Sequence, residues 1–459
     1  MINIHQAAQA TALSMCLVLA GCATPVSVPK ASVAAPDGWN IERPAASVAP
    51  GKPADAWWQD FGSAELNALI ESALLANRDL HIAAARVAQA RALVDGANAE
   101  YMPQFGLAAG ARKGRESSAD PKTEFAYGGL RASWELDPFG GKDFTSSAAR
   151  SDAEGADLAW QAARMTIAAE VATAYFDILT LRQRDAIERD AIATLEWQIA
   201  VAQRRFAVGQ VSRLDIDRFS GELHQGKANA SQLRGQQQVR LRQLALLLGA
   251  SQQPTLVLSA ADRAEMGVPP HLLPAELLER RPDVQRQARA LDAAAARLGI
   301  ARRDLYPRFL LDWAGRKERM SVAGSSAAPA VVIGFGLSVS LPLFDGGRIH
   351  ANIDIHEARM QEAMAEYEKA MLSALADAGI ALTQLVTANA SSSELEAATT
   401  HAAEAARRSQ RLFDAGQVDL NTVLDTYRSQ LRSQDALLQG QGAQRSAAIS
   451  VRRAFAGSI

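Results

Sequence analysis

The feature that most constrains this chain is a glycine turn that occurs twice, each time inside a long helical pattern. The first copy reads Val208-Gly209-Gln210 and the second reads Ala415-Gly416-Gln417. The two glycines lie 207 residues apart, and a phenylalanine stands three residues before each of them. Because glycine readily ends a helix in a left-handed conformation, each copy predicts an exposed tip that joins two long antiparallel helices.

Other motifs repeat at nearly the same spacing. Pro103-x-Phe105 returns as Pro307-x-Phe309, 204 residues later, and Gly140-Gly141-Lys142 returns as Gly346-Gly347-Arg348, 206 residues later. Agreement between such different motifs predicts that the whole unit is duplicated. Each unit is expected to contain a helix, a β-hairpin, a long helix, a tip and a further helix.

Proline placement and apolar spacing predict that these units are mainly helical. No proline occurs between Pro138 and Pro254 or after Pro342. The apolar positions of the first proline-free block follow a spacing of four and three residues: Ile167, Val171, Ala174, Ile178 and Leu181. This rhythm is typical of helices packed side by side, and it identifies architecture rather than activity. A further helix is expected from about 64 to 101, with Pro103 as its stop.

Between the helices lie four segments that alternate with period two, at about 104–112, 126–137, 308–316 and 331–341. In the clearest one, Val331, Ile333 and Phe335 alternate with small residues. An apolar face opposite a small or polar face suits a transmembrane β-barrel with a wet lumen, although a β-sandwich alternates in the same way. Four strands cannot close a barrel, since small barrels need about eight. If these strands span a membrane, the chain must therefore share one barrel with other copies.

The N-terminus predicts secretion and a lipid anchor. A short apolar stretch ends in Leu19-Ala20-Gly21-Cys22, which resembles the bacterial lipobox, whose cysteine is acylated after cleavage. Cys16, within the predicted signal peptide, and Cys22 are the only cysteines. The mature chain is therefore expected to have no free thiol and no disulfide.

Several functional classes are excluded by composition and motifs. The net charge of −2 gives no support for a nucleic-acid partner. The histidines show no metal-ligand spacing, and the chain carries no glycine-rich phosphate loop. Asp215 and Asp217 are two residues apart and point in different directions on a helix, so they are not expected to form an acid and base pair. We therefore expect no enzyme activity, no cofactor and no metal site.

Together the motifs resemble the TolC-type outer-membrane factors, and specifically the NodT-like outer-membrane efflux lipoproteins. The resemblance covers nearly everything from Cys22 onward. Besides the two tips, it rests on Trp57-Trp58-x-x-Phe61, Asn77-Arg78-Asp79-Leu80, Glu279-Arg280-Arg281-Pro282-Asp283-Val284 and Leu341-Pro342-Leu343-Phe344-Asp345-Gly346-Gly347. It implies a mainly α fold with transmembrane β-strands, in which a homotrimer forms one β-barrel that continues as an α-helical periplasmic tunnel. The implied partners are a periplasmic adaptor (membrane fusion protein), an inner-membrane pump and outer-membrane lipid.

The resemblance also implies roles for individual residues. Nine residues after Gly416 stands Asp425, similar to the family's gating aspartate, and three such carboxylates around a threefold axis would favour cations or water over anions. Asn421 stands one turn earlier, where close relatives often have leucine, which predicts a hydrogen-bonded rather than a hydrophobic constriction. The adaptor contact is expected at Val208, Gly209, Gln210, Ala415, Gly416 and Gln417. Asp419 is expected to cap the helix that follows the second tip.

The predicted function is a passive, gated exit duct for small molecules in a tripartite efflux system. The alternative is a periplasmic coiled-coil adaptor or scaffold lipoprotein without a pore. The expected organisation is a signal peptide at 1–21, an acylated tether at 22–56, a first repeat at 57–253 with its tip at 206–213, an inter-repeat linker at 254–270, and a second repeat at 271–459 with its tip at 413–420.

Overall fold

The computed structural model describes residues 26–39, 54–115, 117–256 and 273–455. The predicted signal peptide, Cys22 and the linker beyond residue 256 lie outside these ranges. After a 3₁₀ helix at Ala54–Phe61, the elements are α1 (Ala64–Ala76), α2 (Arg78–Ala99), β1 (Gln104–Gly114), β2 (Thr123–Leu136), α3 (Gly141–Ala207), α4 (Arg213–Leu247), α5 (Pro274–Arg280), α6 (Pro282–Arg303), β3 (Arg308–Val322), β4 (Ser325–Ser326), β5 (Ala330–Ser340), α7 (Arg348–Asp414) and α8 (Leu420–Ala454).

The chain divides into two compact units. Among the described residues, the first unit contains 26–32, 85–157 and 286–369, and the second contains 33–39, 54–84, 158–256, 273–285 and 370–455. The strands therefore belong to the first unit, and both glycine tips belong to the second.

The first unit is built around one antiparallel sheet. β1 pairs with β2, β2 with β3, and β3 with β5, while the two-residue β4 pairs with the far end of β3. The β1–β2 and β3–β5 hairpins, one from each repeat, are thus joined through the β2–β3 pair. Within the described part of the chain, β1 and β5 each pair on one side only, so both long edges of the sheet are open.

The sheet has two chemically different faces. Directly paired residues share a face, and the register places Leu107 opposite Leu130 and Trp313 opposite Phe335. We call this the apolar face; it carries Phe105, Leu107, Leu130, Trp134, Trp313, Ile333, Phe335 and Leu337, all of which are exposed. The opposite face, which we call the polar face, carries Gly106, Gly110, Arg131, Asp312, Gly334 and Gly336.

The second unit has an alanine-rich helical core with an aromatic cluster at one place. Trp57, Trp58 and Phe61 of the 3₁₀ helix are buried, and the ring centroids of Phe61 and Phe176 lie 5.2 Å apart. Elsewhere in this core small residues, such as Ala172 of α3, are fully buried. Small side chains let helix backbones approach closely.

The expected single helix over about 64–101 is wrong, because Asn77 interrupts it. Asn77 is buried and extended (φ −62°, ψ 131°), and its Oδ1 accepts hydrogen bonds from the N–H groups of Asp79 (2.9 Å) and Leu80 (3.2 Å). The side chain thus ends α1 and caps α2 in the same place. Its Nδ2 donates to the Leu247 carbonyl (2.9 Å), which fixes the break against the end of α4.

The second repeat breaks at the corresponding position, 204 residues later. Arg281 is extended (φ −71°, ψ 119°) between α5 and α6, and it precedes Pro282, which disfavours a helical conformation of the residue before it. Its guanidinium pairs with Asp283 (2.5 Å) and Asp377 (3.3 Å). The two repeats therefore share the break and hold it with different chemistry.

Candidate functional site: two helix tips and the polar contacts behind them

The two tips end their helices with the same backbone turn. At the first tip, the N–H of Gly209 donates to the Phe206 carbonyl (2.9 Å), and the N–H of Gln210 donates to the Arg205 carbonyl (2.9 Å). Gly209 has φ +75°, a left-handed conformation in which a side chain is disfavoured.

The second tip repeats this pattern at the equivalent atoms. The N–H of Gly416 donates to the Phe413 carbonyl (2.9 Å), the N–H of Gln417 donates to the Leu412 carbonyl (2.8 Å), and Gly416 has φ +73°. A Cβ added at Gly209 or Gly416 would meet no atom within 4 Å. The glycines are therefore required by the backbone conformation and not by lack of space.

The helices that follow the tips begin with different caps. At the first tip, Ser212 and Asp215 form a capping box: the Ser212 side chain accepts from the Asp215 N–H (3.3 Å), and the Asp215 carboxylate accepts from the Ser212 N–H (3.0 Å). At the second tip, Asp419 accepts from the N–H (2.9 Å) and the hydroxyl (2.6 Å) of Thr422. The predicted capping role of Asp419 is confirmed. These hydrogen bonds, led by the Thr422 hydroxyl, lower the pKa of Asp419.

The side chains around the tips touch each other and also leave surface available. The Arg205 guanidinium lies over the Phe413 ring, 4.9 Å from its centroid, which joins the end of α3 to the end of α7. By contrast, Val208 is 68% exposed, and Phe206 is also exposed. The tip region therefore presents glycine, glutamine and apolar groups to its surroundings.

A small apolar cluster anchors the helices behind the tips. It consists of Leu195, Ala202, Ile216, Phe219 and Leu424, with Phe219 only 1% exposed. These residues come from α3, α4 and α8. They hold the start of each helix that follows a tip, so the polar side chains beyond them have a rigid base.

Asp425 lies on the surface of α8, at one end of a series of three charged side chains linked by ion pairs. Its carboxylate is 72% exposed and lies 3.3 Å from the Arg428 guanidinium, which in turn contacts Glu222 of α4 at 2.6 Å. Two carboxylates thus share one arginine across two helices. Arg428 stands three residues after Asp425, a spacing that brings side chains together on a helix and could have indicated the pair. Glu222 lies more than 200 residues away in sequence, so only the folded chain identifies it.

Asn421 lies beside Asp425 on α8 and makes a second contact between the helices that follow the tips. Its side-chain oxygen accepts a hydrogen bond from Arg218 of α4, and its amide nitrogen donates to Asp419 (3.4 Å). Arg218 stands nine residues after Gly209, the position that Asp425 occupies after Gly416. The contact of Arg218 with Asn421 joins residues about 200 positions apart, so sequence spacing does not indicate it.

The remaining predictions concern metal binding and the lipid anchor. Among the described residues, no group of three or more His, Cys, Asp or Glu side chains is close enough to hold a metal ion. Cys22, the predicted acylation site, lies outside the described ranges. Of the predicted site residues, the structure therefore describes those at the tips and those behind the tips.

Comparison with known proteins adds to this geometry. A family model described as "Outer membrane efflux protein" matches residues 69–250 and 273–457. The chain is similar to the pyoverdine export outer membrane protein OpmQ of Pseudomonas putida, with 30% identity over 97% of this chain and 96% of the relative. It is also similar to the cation efflux system protein CusC of Escherichia coli O6:H1, with 26% identity over 96% of each chain.

Solved structures agree with the sequence comparisons. A membrane protein from Pseudomonas aeruginosa superimposes with a TM-score of 0.80 and 28% identity, covering 91% of this chain and 99% of that one. OpmQ is named as an export protein of the outer membrane, CusC as a protein of a cation efflux system, and the matching family is one of outer membrane efflux proteins. This chain is therefore an outer-membrane efflux channel and not an enzyme. A scaffold lipoprotein without a pore is not favoured. Since the family model covers most of the described residues, the chain belongs to the outer membrane efflux protein family.

Proposed function

We propose that three copies of this chain form one gated exit duct for small molecules across the outer membrane. The main observation that supports this proposal is a sheet with an exposed apolar face and two open edges. In hydrocarbon, unpaired backbone groups at a sheet edge are too costly to persist, so each edge must pair with another copy. Three such sheets supply twelve long strands, a number that a closed barrel accommodates. The count of three comes from the family resemblance.

Cross-linking between sheet edges tests this arrangement. The only native cysteines are Cys16, which is expected to be removed with the signal peptide, and Cys22, whose thiol is expected to be acylated. Cysteines placed at Leu107 of β1 and Leu337 of β5 would then be the only reactive thiols. A bifunctional maleimide should link the double variant into dimers and trimers, and each single variant should give far less product. Species larger than trimers, or monomers alone, would contradict the shared twelve-stranded barrel.

The two tips are assigned to a periplasmic adaptor, through which an inner-membrane pump would supply the energy. Three copies would present six tips, each with exposed glycine, glutamine and apolar groups. The contact set is Val208, Gly209, Gln210, Ala415, Gly416 and Gln417. Support comes from the exposure of Val208 and from the equivalence of the two turns.

In-cell photo-cross-linking tests the docking role without disturbing the fold. A photoreactive phenylalanine analogue at Val208 or Ala415 should link the channel to an adaptor chain that mass spectrometry can identify. The control position is Gln238, which is exposed on α4 and lies far from the tip in sequence. Cross-links from the tips only to other copies of this chain would make the tips an assembly contact and overturn the docking role.

Asp425 is assigned to the gate, together with Asn421. Around a threefold axis, three Asp425 carboxylates would disfavour anions, and the bonds of Arg428 to Glu222 and of Arg218 to Asn421 would hold α4 and α8 together. Opening would then require these bonds to loosen. The assignment is supported by the exposed carboxylate and by its attachment to one partly exposed arginine.

Cys22 is assigned as the lipid anchor. Replacement by serine should abolish metabolic labelling with palmitate, while heat-resistant oligomers should still form because the barrel makes its own contact with lipid. Loss of both would mean that acylation is needed for insertion.

The family alone does not identify the transported substrate, since the relatives OpmQ and CusC are named for pyoverdine and for cations respectively.

A further inference from the structure

The apolar face of the sheet ends in a row of charged side chains. Lys113 of β1, Glu124 of β2, and Lys317 and Arg319 of β3 all lie on this face, because they stand an even number of residues from Leu107, Leu130 and Trp313 respectively. Direct pairing confirms part of this arrangement, since Lys113 lies opposite Glu124. We call these four residues the charged row.

The charged row lies at the end of the strands that is farther from the helices. β1 ends at Gly114 and β2 begins at Thr123, so the row stands next to the hairpin loop, whereas the helices join the opposite strand ends. From Phe105 to Lys113 the strand rises roughly 27 Å at ~3.4 Å per residue. Allowing for strand tilt, this is close to the ~25 Å height of the apolar band of an outer-membrane barrel. With the helices in the periplasm, the row lies at the surface of the outer leaflet.

The row is unevenly charged. Lys113 and Glu124 form an ion pair with each other, so their charges cancel. Lys317 and Arg319 are exposed, and neither makes an ion pair with any other residue that the structure describes. Each copy of the chain therefore presents two uncompensated cations towards lipid at this level.

An open groove lies beside three members of the row. It has a volume of about 660 Å³, and its lining includes Arg112, Lys113, Glu124, Arg319, Ser321 and Ser326. Lys317 is not part of this lining and stands two residues before Arg319 on the same face of β3. Pockets that bind drug-sized ligands have volumes of about 300–1,000 Å³, so this groove is large enough for a ligand of that size. Arg319 offers a planar pair of N–H donors that matches a phosphate, and the Ser321 hydroxyl lies on the same face, opposite Glu124.

We propose that this groove binds the phosphorylated headgroup of an outer-leaflet glycolipid, with Arg319 on the phosphate and Lys317 as a second cation beside the groove on the same face of β3. The headgroup of a lipid in that leaflet lies at the level of the row, and its acyl chains can lie against Leu130 and Phe335 below it. Free anions share the phosphate chemistry and lack the acyl chains. The proposal rests on the outer-membrane location of the channel and is independent of the gate and of the docking tips.

Native mass spectrometry of the intact detergent-solubilised channel tests the proposal with three probes. These are bisphosphorylated lipid A, the same lipid without phosphates, and inorganic phosphate. The wild-type channel should retain the bisphosphorylated lipid at least about tenfold better than the dephosphorylated one, as expected for loss of a charge-assisted bidentate contact. Millimolar inorganic phosphate should not displace it, because the acyl chains contribute to binding.

The variants are Arg319→Gln, Lys317→Gln and the double substitution. The matched control is Arg131→Gln, which removes the same charge from the polar face of the same sheet. Retention should fall by about tenfold in the double variant and remain unchanged in the control. The single variants keep the test decisive if the double variant does not assemble.

Three results would overturn the proposal. Equal retention of the two lipids would show that the phosphates are not recognised. Equal loss in Arg131→Gln would show a non-specific charge effect. Displacement by inorganic phosphate alone would reduce the groove to a simple anion site.

Discussion

The two glycine tips share a backbone and differ in the residues behind it. In both, the glycine adopts a left-handed conformation, and the following glutamine N–H closes the turn onto a carbonyl five residues earlier. At the ninth step, however, the first tip carries Arg218 and the second carries Asp425. The backbone turn needs only glycine and a helix end, so the surface positions beyond it are free to take opposite charges.

The helix caps also combine the same backbone arrangement with different side chains. The first tip uses Ser212 as the cap and Asp215 as its reciprocal partner, whereas the second uses Asp419 with Thr422. The carboxylate and the hydroxyl have thus exchanged places between equivalent positions. Because either group can accept a hydrogen bond from an N–H at a helix start, both arrangements begin the helix. Only the second places a lowered-pKa carboxylate at the cap itself.

The largest expected difference between the tips concerns ion flow. Asp425→Ala should raise the conductance of the reconstituted channel severalfold and reduce its preference for cations, because it would remove the proposed ring of carboxylates. Arg218→Ala should have the opposite effect on selectivity, since it removes a cation from the same level. Planar-bilayer recordings under a salt gradient measure both quantities. Unchanged conductance and selectivity in Asp425→Ala would exclude this residue from the gate.

The next largest effect is a loss of stability, and it should be equal at the two tips. Gly209→Ala and Gly416→Ala should each cost about 1–2 kcal/mol, the penalty for placing a side chain in the left-handed region. The control is Gly235→Ala, a helical glycine with nothing within 4 Å of its added Cβ, which should be stabilising by up to ~1 kcal/mol. Thermal unfolding of the assembled channel measures all three. Unequal losses at the two tips would mean that their turns are not equivalent.

The caps should differ in their dependence on pH. Ser212→Ala should cost about 1 kcal/mol. The pKa of Asp419 is lower in the folded chain than its ordinary value near 3.8, so its stabilising contribution is present above pH 3.8 and is lost as the pH falls through the folded pKa. Asp419→Asn should keep a cap and remove this acid-dependent loss. Thermal unfolding between pH 7 and pH 3 would reveal the difference, and identical profiles for Asp419→Asn and the wild type would contradict it.

The smallest effect concerns the contact that joins the tips. Arg205→Gln should cost about 0.5–1 kcal/mol, the usual range for an exposed cation–π contact. Phe413→Leu should cost a similar amount. In the double variant, the two losses should be less than additive because both substitutions remove the same contact. Full additivity would show that Arg205 and Phe413 act independently.

The sequence predicted the tips well because their signals are local. Glycine followed by glutamine at the end of a helical pattern, with a polar cap two or three residues later, depends on hydrogen bonds between near neighbours. The capping role of Asp419 followed from the same reasoning. In contrast, the break at Asn77 was missed, because α1 and α2 together read as one continuous helical pattern.

The contacts around the proposed gate could not be predicted, for a different reason. The gate role of Asp425 is a prediction from the family resemblance, and that resemblance did not indicate its neighbours Arg428 and Glu222. The link between Glu222 and Arg428 joins two helices from different repeats, and nothing in the local pattern of either helix indicates the pairing. Similarly, the contact between Arg218 and Asn421 requires the relative rotation of α4 and α8.

By itself, the sequence determined the duplicated plan, the helical blocks, the alternating strands and the position of the tips, because each depends on periodicity or on a short turn motif. Tertiary structure alone decided how the two hairpins join into one sheet and which charges meet behind the tips. Those features depend on register between distant segments, which sequence spacing does not specify. The paired glycine turns thus follow from local backbone chemistry, whereas the different contacts that Arg218 and Asp425 make depend on the fold.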